Sequence, residues 1–231
     1  MIFRIVKKKF SAADFHGILG SEKQSRGEVT MTQHERALAG RLFDARCPEM
    51  RRLKHKAHVL CQRFNAMDEF DPDRLPLIRE FIGSIGDGYY FQGPIQFNYG
   101  CNTHIGAGFF ANFNLTVMDD GPITIGDHVM LAPNVSLMAT THPLIAAERG
   151  ALTYPDGHVS TSEYAPAIHI GSHVWLACSV TVCGGVTIGD GAVVGAGSVV
   201  TKDIPAGWLA YGNPCRPIRP ITQADSKLDL L

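Results

Sequence analysis

The stretch LMATTHPLIA, residues 137–146, carries a histidine followed by a proline. Imidazole, with an ordinary pKa of about 6.5, is the side chain best matched to taking a proton from an alcohol near neutral pH. Pro143 biases His142 away from helical backbone and toward an extended one, which helps aim the side chain. A turn histidine without chemistry satisfies the same two residues, and from them alone it is the better reading. Cys178 and Cys183 are possible nucleophiles, but both fall inside a repeat where small wall residues are ordinary. Arg216 and Arg219 stand three apart in CRPIR, so an extended segment of period three puts both on one side. Such a pair suits phosphate by charge and geometry, with a solvated basic tail as the rival explanation. His104, His128, His142, His169 and His173 are numerous enough to raise the question of zinc. Zinc needs three converging ligands, and His169 and His173 occupy unlike positions of the repeat.

A repetitive scaffold has to place these groups. Aliphatic residues recur at every sixth position through Ile170, Leu176, Val182, Ile188, Val194 and Val200. Each is followed by a small residue or threonine: Gly171, Ala177, Cys183, Gly189, Gly195 and Thr201. Four places after each of the first five come Val174, Val180, Val186, Ala192 and Ser198. The same beat runs earlier through Tyr99, Ile105, Ala111 and Val117 and, after a short insertion, through Ile125, Leu131 and Leu137. A period of six fits neither the 3.6 of a helix nor the 2 of a plain strand. It predicts a coil of very short strands with a corner every sixth residue, aliphatic side chains stacked inside and small followers fitting the corners. The beat stops after Leu137 and resumes at Ile170, so His142 sits in an excursion over 138–167 from a regular wall.

Ahead of the coil the texture is helical. Thr32 and Glu35 form the T-x-x-E pair that caps a helix reciprocally. From Pro48, suited to a first helical position, Met50, Leu53, Ala57, Leu60 and Phe64 recur in steps of three and four to an end near Asn65. Arg51, Arg52, Lys54, Lys56 and Arg63 fall on its other faces as a solvated surface. DPDRLPLIREFIG gives another short helix, opened by Asp71 or Asp73 and closed by Gly83. The chain thus divides into an accessory leader (1–30, with Met31 an equally good start), a helical segment (31–90), a coil (91–205) and a tail (206–231). In 231 residues, 21 Lys and Arg face 22 Asp and Glu, so no overall field draws in nucleic acid or membrane. Six cysteines without a C-x-x-C pair point to reduced thiols in the cytoplasm. MIFRIVKKKF makes a poor signal peptide and no membrane span follows it.

IGSHVWLACSVTVCGGVTIGDGAVVGAGSVVTKDIPAG closely resembles the hexapeptide-repeat acyltransferases, whose coil is a left-handed parallel β-helix of triangular section. The helical segment from ERALAGRLFDA to FNAMD, the motifs FNYGCNTHIG, FANFNLTVMDDGPITIGDHVMLAPNVSL and THP, and the tail GNPCRPIR resemble the maltose and galactoside O-acetyltransferases within that superfamily. This likeness runs from about Met31 to Arg219. It implies a mainly β fold, that β-helix with a small N-terminal helical segment and an extruded active-site loop. It also implies an enzyme moving the acetyl group of acetyl-CoA to a sugar hydroxyl. His142 becomes the general base, in a direct attack that needs neither a covalent intermediate nor a metal. Asp44, Asn112 and Asp120 match the family's acceptor-binding positions, and Asn98 matches a more variable one. Carboxylates and carboxamides suit polyols. Phe110 stands where some relatives have Tyr. Thr201, Lys202, Arg216 and Arg219 match positions that meet coenzyme A phosphates, and Trp175, Cys178 (through its backbone) and Ala196 match places lining the pantetheine groove. Glu163, in SEYAP, aligns loosely with a position orienting the base or the acceptor. The family arrangement of three coils with coenzyme A between them implies a homotrimer. Two other classes stand beside this one: some hexapeptide coils are zinc carbonic anhydrases, tested by zinc retention, and a non-catalytic scaffold would fail to bind coenzyme A.

Overall fold

Thr32 does what its spacing requires: its hydroxyl accepts from the Glu35 amide, Glu35 Oε2 accepts from the Thr32 amide at 2.8 Å, and α1 follows over Gln33–Leu38. The computed structural model describes residues 31–231, and the leader expected over 1–30 lies outside them. Helix α2 spans Pro48–Ala66 with Pro48 in its first turn. Its buried residues are Met50, Ala57, Cys61 and Phe64. The last three join the main core, while Met50 packs in a second cluster with Ala37, Phe43, Ala45, Tyr99 and Ala165.

The third expected helix is a 3-10 turn over Pro76–Glu80. Pro72 and Pro76 supply no amide for a helical ladder, and the Asp71 carboxylate accepts from the Asp73 amide at 2.9 Å, a local bond that competes with helix initiation. Arg74, only 5% exposed, closes this end of the molecule. Its guanidinium lies 4.1 Å from the Phe64 ring centroid and donates to the Phe91 and Gln92 carbonyls.

From Ser84, ahead of residue 91, the chain is made of short strands. The first coil is β1 (Ser84–Ile85), β2 (Tyr90–Phe91) and β3 (Ile95–Phe97). The second is β4 (Thr103–Ile105), β5 (Phe110–Ala111) and β6 (Leu115–Met118), and the third is β7 (Ile123–Ile125), β8 (Met130–Leu131) and β9 (Ser136–Met138). The excursion then carries α3 (Ala146–Gly150) and a hairpin of β10 (Leu152–Thr153) and β11 (Val159–Ser160). Regular coils resume with β12 (Ile168–Ile170), β13 (Trp175–Leu176) and β14 (Thr181–Cys183), then β15 (Thr187–Ile188), β16 (Val193–Val194) and β17 (Val199–Val200). β18 (Trp208–Gly212) pairs parallel with β16, and β19 (Cys215–Pro220) folds back antiparallel on it.

Every coil contributes one strand to each of three parallel sheets. Face 1 stacks β1, β4, β7, β12 and β15; face 2 stacks β2, β5, β8, β13, β16 and β18; face 3 stacks β3, β6, β9, β14 and β17. Register sets the inner residues above one another: Ile85, Ile105, Ile125, Ile170 and Ile188 on face 1, and Phe97, Val117, Leu137, Val182 and Val200 on face 3. On face 2 the series is Phe91, Ala111, Leu131, Leu176, Val194 and Ala210. The fold is therefore mainly β, a three-faced parallel β-helix with a small helical segment and an extruded loop. Two details of the repeat differ from expectation. Tyr99 belongs to the second cluster, and Phe97 takes its place inside. The small followers serve coil stacking rather than the corner: a Cβ on Gly171 would lie 2.2 Å from Asp190 Oδ1 in the next coil. The sharp corner falls two residues later, on left-handed backbone at His173 (φ 58°) and Ser179 (φ 59°).

Candidate active site

The corner where face 3 hands over to face 1 does not keep the six-residue step. Inner residues Phe97 and Ile105 are eight apart, as are Val117 and Ile125; Leu137 and Ile170 are thirty-three apart; Val182 and Ile188 return to six. The extra residues in the lower coils carry polar groups. Asp119 is wholly buried, accepting from the Tyr99 amide at 2.8 Å and from the Thr103 hydroxyl at 2.9 Å. Burial lifts its carboxyl to about 6 in spite of those bonds. Asp120 is also wholly buried. Its Oδ2 accepts from Asn98 Nδ2 at 2.9 Å and from the Thr140 hydroxyl, whereas Oδ1 has no partner among the described residues. The Tyr99 hydroxyl is likewise buried without a partner, and burial together with the Asp120, Glu163 and Asp119 carboxylates raises its pKa. Gly121 lets the returning loop press in, since a Cβ there would lie 2.2 Å from the Ala165 carbonyl oxygen.

The loop's two ends are tied by an antiparallel bridge between Thr141 and Tyr164, and a second bridge joins Glu163 to Phe43 of the helical segment. His142 follows the first bridge, exposed, with Pro143 buried behind it. Its Nδ1 donates to the Ser162 carbonyl at 3.1 Å. A carbonyl can only accept, so the lone pair of Nε2 is free, the form a general base requires. Ser162 is itself wholly buried and its hydroxyl donates to the Glu148 carbonyl at 2.6 Å, which makes its own carbonyl a fixed mount. Beside it the Glu163 carboxyl is raised by burial and by Asp120, against the opposing pull of His142 and Lys54.

Asp44 adjoins this corner through the Phe43–Glu163 bridge, and its carboxylate also ties the loop. Oδ1 accepts from the Arg46 amide at 2.8 Å and the Ser160 hydroxyl at 2.7 Å, and Oδ2 lies 3.3 Å from His158 Nε2. Asn112 lies at a different corner, between faces 2 and 3, where Oδ1 accepts from the Phe113 amide. Trp175, Cys178, Ala196, Arg216 and Arg219 gather near that second corner and along face 2, whereas Thr201 and Lys202 follow β17 at the corner between faces 3 and 1. Trp175 is half exposed on the outside of β13. Cys178 and Ala196 are exposed one coil apart, and Thr201 and Lys202 are exposed just past β17. Arg216 and Arg219 do share a face, though through a bulge in a β-strand rather than a period-three extension: Tyr211 pairs with Arg216 and Leu209 with Arg219 across a register shift. Arg219 is engaged by Asp225, at 2.7 and 2.5 Å. Among the described residues no group of three or more His, Cys, Asp and Glu side chains is placed to hold a metal. One chain thus gathers Asn98, Asp120 and the His142 loop at one corner, with Thr201 and Lys202 at the same corner in a later coil, and leaves Asn112, Cys178, Ala196 and the face 2 positions elsewhere. Thr140 and Ser162 carried no signal in the sequence, Ser162 because it acts through its backbone; Asp119 was signalled by the doublet MDDG at an eight-residue step.

A family model of the maltose acetyltransferase hexapeptide capping motif matches residues 36–86, and one of the bacterial transferase hexapeptide (six repeats) matches residues 167–202. The galactoside O-acetyltransferase of Escherichia coli K12 is 40% identical over 198 residues, 85% of this chain and 93% of that protein. The chain belongs to the maltose and galactoside O-acetyltransferase family. A solved galactoside acetyltransferase in complex with coenzyme A shares the fold of this family member with a TM-score of 0.77 at 41% identity, covering 85% of this chain and 94% of that one. A hexapeptide-repeat acetyltransferase of Vibrio cholerae complexed with acetyl coenzyme A gives a TM-score of 0.73 at 32% identity, covering 84% and 100%. In this acetyltransferase chain the interval between the two matched segments holds the eight-residue steps and the loop, where a strict six-residue pattern fails.

Proposed function

We propose that the chain transfers the acetyl group of acetyl-CoA to a hydroxyl of a sugar by direct attack, with His142 as the general base. Nε2 takes the alcohol proton as the oxygen bonds to the acetyl carbon; the carbon–sulfur bond then breaks and the proton passes to the departing thiolate. The observation that carries this is the Nδ1–H bond to the Ser162 carbonyl, which leaves Nε2 bare on an exposed loop. The coenzyme A and acetyl coenzyme A bound by the two solved relatives support the donor. Asn98 and Asp120 form the polar floor of the acceptor subsite, and Phe110, on the outside of face 2, would reach its wall only from a neighbouring coil.

A homotrimer would complete the site. The outward side chains of face 2, in register, are Tyr90, Phe110, Met130, Trp175, Val193 and Leu209, whereas face 1 presents Ser84, His104, Thr124, His169 and Thr187. Met130 and Trp175 are 53% and 47% exposed in the single chain. An apolar outer face calls for a covering chain, which would bring one coil's cofactor edge to the next coil's His142. Six free cysteines favour a reducing, cytoplasmic setting, and among the described residues no helix is long and apolar enough to cross a membrane. The test is thiol release from acetyl-CoA with a panel of glucosides, galactosides and maltose. Release that depends on a sugar is expected. No release with any sugar, while coenzyme A still raises the melting temperature, would replace transfer with a binding role.

A further inference from the structure

Among the described residues the hairpin of β10 and β11 pairs only with itself, and a two-stranded ribbon of this length is marginal alone. Its order must come from side chains at its tip and flank. Tyr154, 4% exposed, donates to the Thr161 carbonyl at 3.2 Å and stacks on His158 with centroids 4.5 Å apart and planes 5° from parallel. His158 in turn lies between two carboxylates. Nδ1 is 2.5 Å from Asp156 Oδ1 in the hairpin turn, and Nε2, buried and without a hydrogen bond among the described residues, faces Asp44 Oδ2 at ion-pair distance, 3.3 Å, in the segment joining α1 to α2. A neutral imidazole has one N–H and can serve only one of these carboxylates; the imidazolium serves both. The same Asp44 carboxylate holds the Ser160 hydroxyl. Two residues beyond Ser160 is the Ser162 carbonyl that accepts from His142 Nδ1.

We propose that His158, as the imidazolium, is a positioning residue for the base: bridging Asp156 and Asp44, it fixes the 158–162 segment so that the Ser162 carbonyl keeps His142 protonated on Nδ1 and bare on Nε2. This rests on His142 being the base. It also gives Asp44 a duty beside the expected acceptor binding, that of anchoring the loop to the helical segment. The groups facing His158 are Asp156 and Tyr154 from its own hairpin and Asp44 from the helical side; Arg36, Glu163 and Cys47 lie within electrostatic range of the Tyr154 phenol behind it. The His158 pKa is raised, chiefly by its bond to Asp156 and secondarily by the two carboxylate charges. With a raised pKa the clamp is closed at and below the ordinary histidine range and opens as pH climbs through the raised value. Turnover should therefore decline on the alkaline side, where a histidine base alone would be most active.

Two readouts on the full chain test this. The first is the pH profile of kcat for sugar acetylation. In the parent an alkaline decline is expected; Asp156→Asn should move it to lower pH, and His158→Ala should remove it while lowering kcat about ten-fold, less than the ~100-fold that a 1 Å misplacement can cost. The second needs no activity: the nitrogen-15 shifts of His142 should report Nδ1–H in the parent and a tautomer mixture in His158→Ala. An unchanged His142 tautomer in His158→Ala, or an alkaline limb that neither substitution moves, would overturn the proposal. A tautomer that responds in a protein unable to acetylate sugars would instead remove the reading of His142 as the base and leave the clamp standing.

Discussion

The regular wall and the corner between faces 3 and 1 are made of the same strands, yet they treat polar groups oppositely. Along the wall every coil repeats the last, strand amides and carbonyls pair with the coils on either side, and the interior is a stack of aliphatics such as Leu131, Leu176 and Val194. At the corner the step lengthens, the chain leaves the wall for thirty residues, and buried polar atoms go unpaired, Asp120 Oδ1 and the Tyr99 hydroxyl among them. Unsatisfied buried groups cost stability, on the order of 1–3 kcal/mol each, and among the described residues two of the four, Asp120 Oδ1 and the Tyr99 hydroxyl, lie where chemistry is proposed, the others being Arg74 Nε and His158 Nε2. The difference teaches that the wall supplies the stability that the corner uses.

Two substitutions sharpen the contrast. The larger effect belongs to the wall: Leu131→Ala empties an inner position between Ala111 and Leu176 and should cost about 2–5 kcal/mol in urea unfolding. A cost below about 1 kcal/mol would mean that the coils do not depend on their inner column. The smaller effect belongs to the corner and is a pH dependence. The folded Asp119 carboxyl titrates at about 6 against an ordinary 3.8, so between those values the folded chain binds the proton that the unfolded chain has lost. Stability from this group therefore falls as pH rises from about 4 to 6 and is flat above. Asp119→Asn keeps an acceptor for the Tyr99 amide and should flatten that slope, while an unaltered slope in the variant would show that another group sets it.

The six-residue beat made the wall legible because a coil of short strands rewards an aliphatic at every sixth place, and the T-x-x-E pair at Thr32 and the first-turn Pro48 made α1 and α2 legible for equally local reasons. What escaped notice depended on contacts across the chain. Tyr99 seemed to keep the beat, yet the eight-residue step from Phe97 to Ile105 moves it outside the column. Asp44 matched an acceptor position, and nothing local revealed that Ser160 and His158, more than a hundred residues away, hold its carboxylate. The Ser162 carbonyl that orients His142 is backbone, and a sequence pattern does not report which carbonyl a histidine will meet.

The most direct test of the account compares kcat of the parent and His142→Ala at saturating acetyl-CoA and sugar, by thiol release, with both proteins first shown to melt alike. The exposed loop position predicts that the wall is untouched and that turnover falls on the order of 100-fold or more. A variant that melts like the parent and acetylates sugar as fast would show that no proton leaves the alcohol through this imidazole.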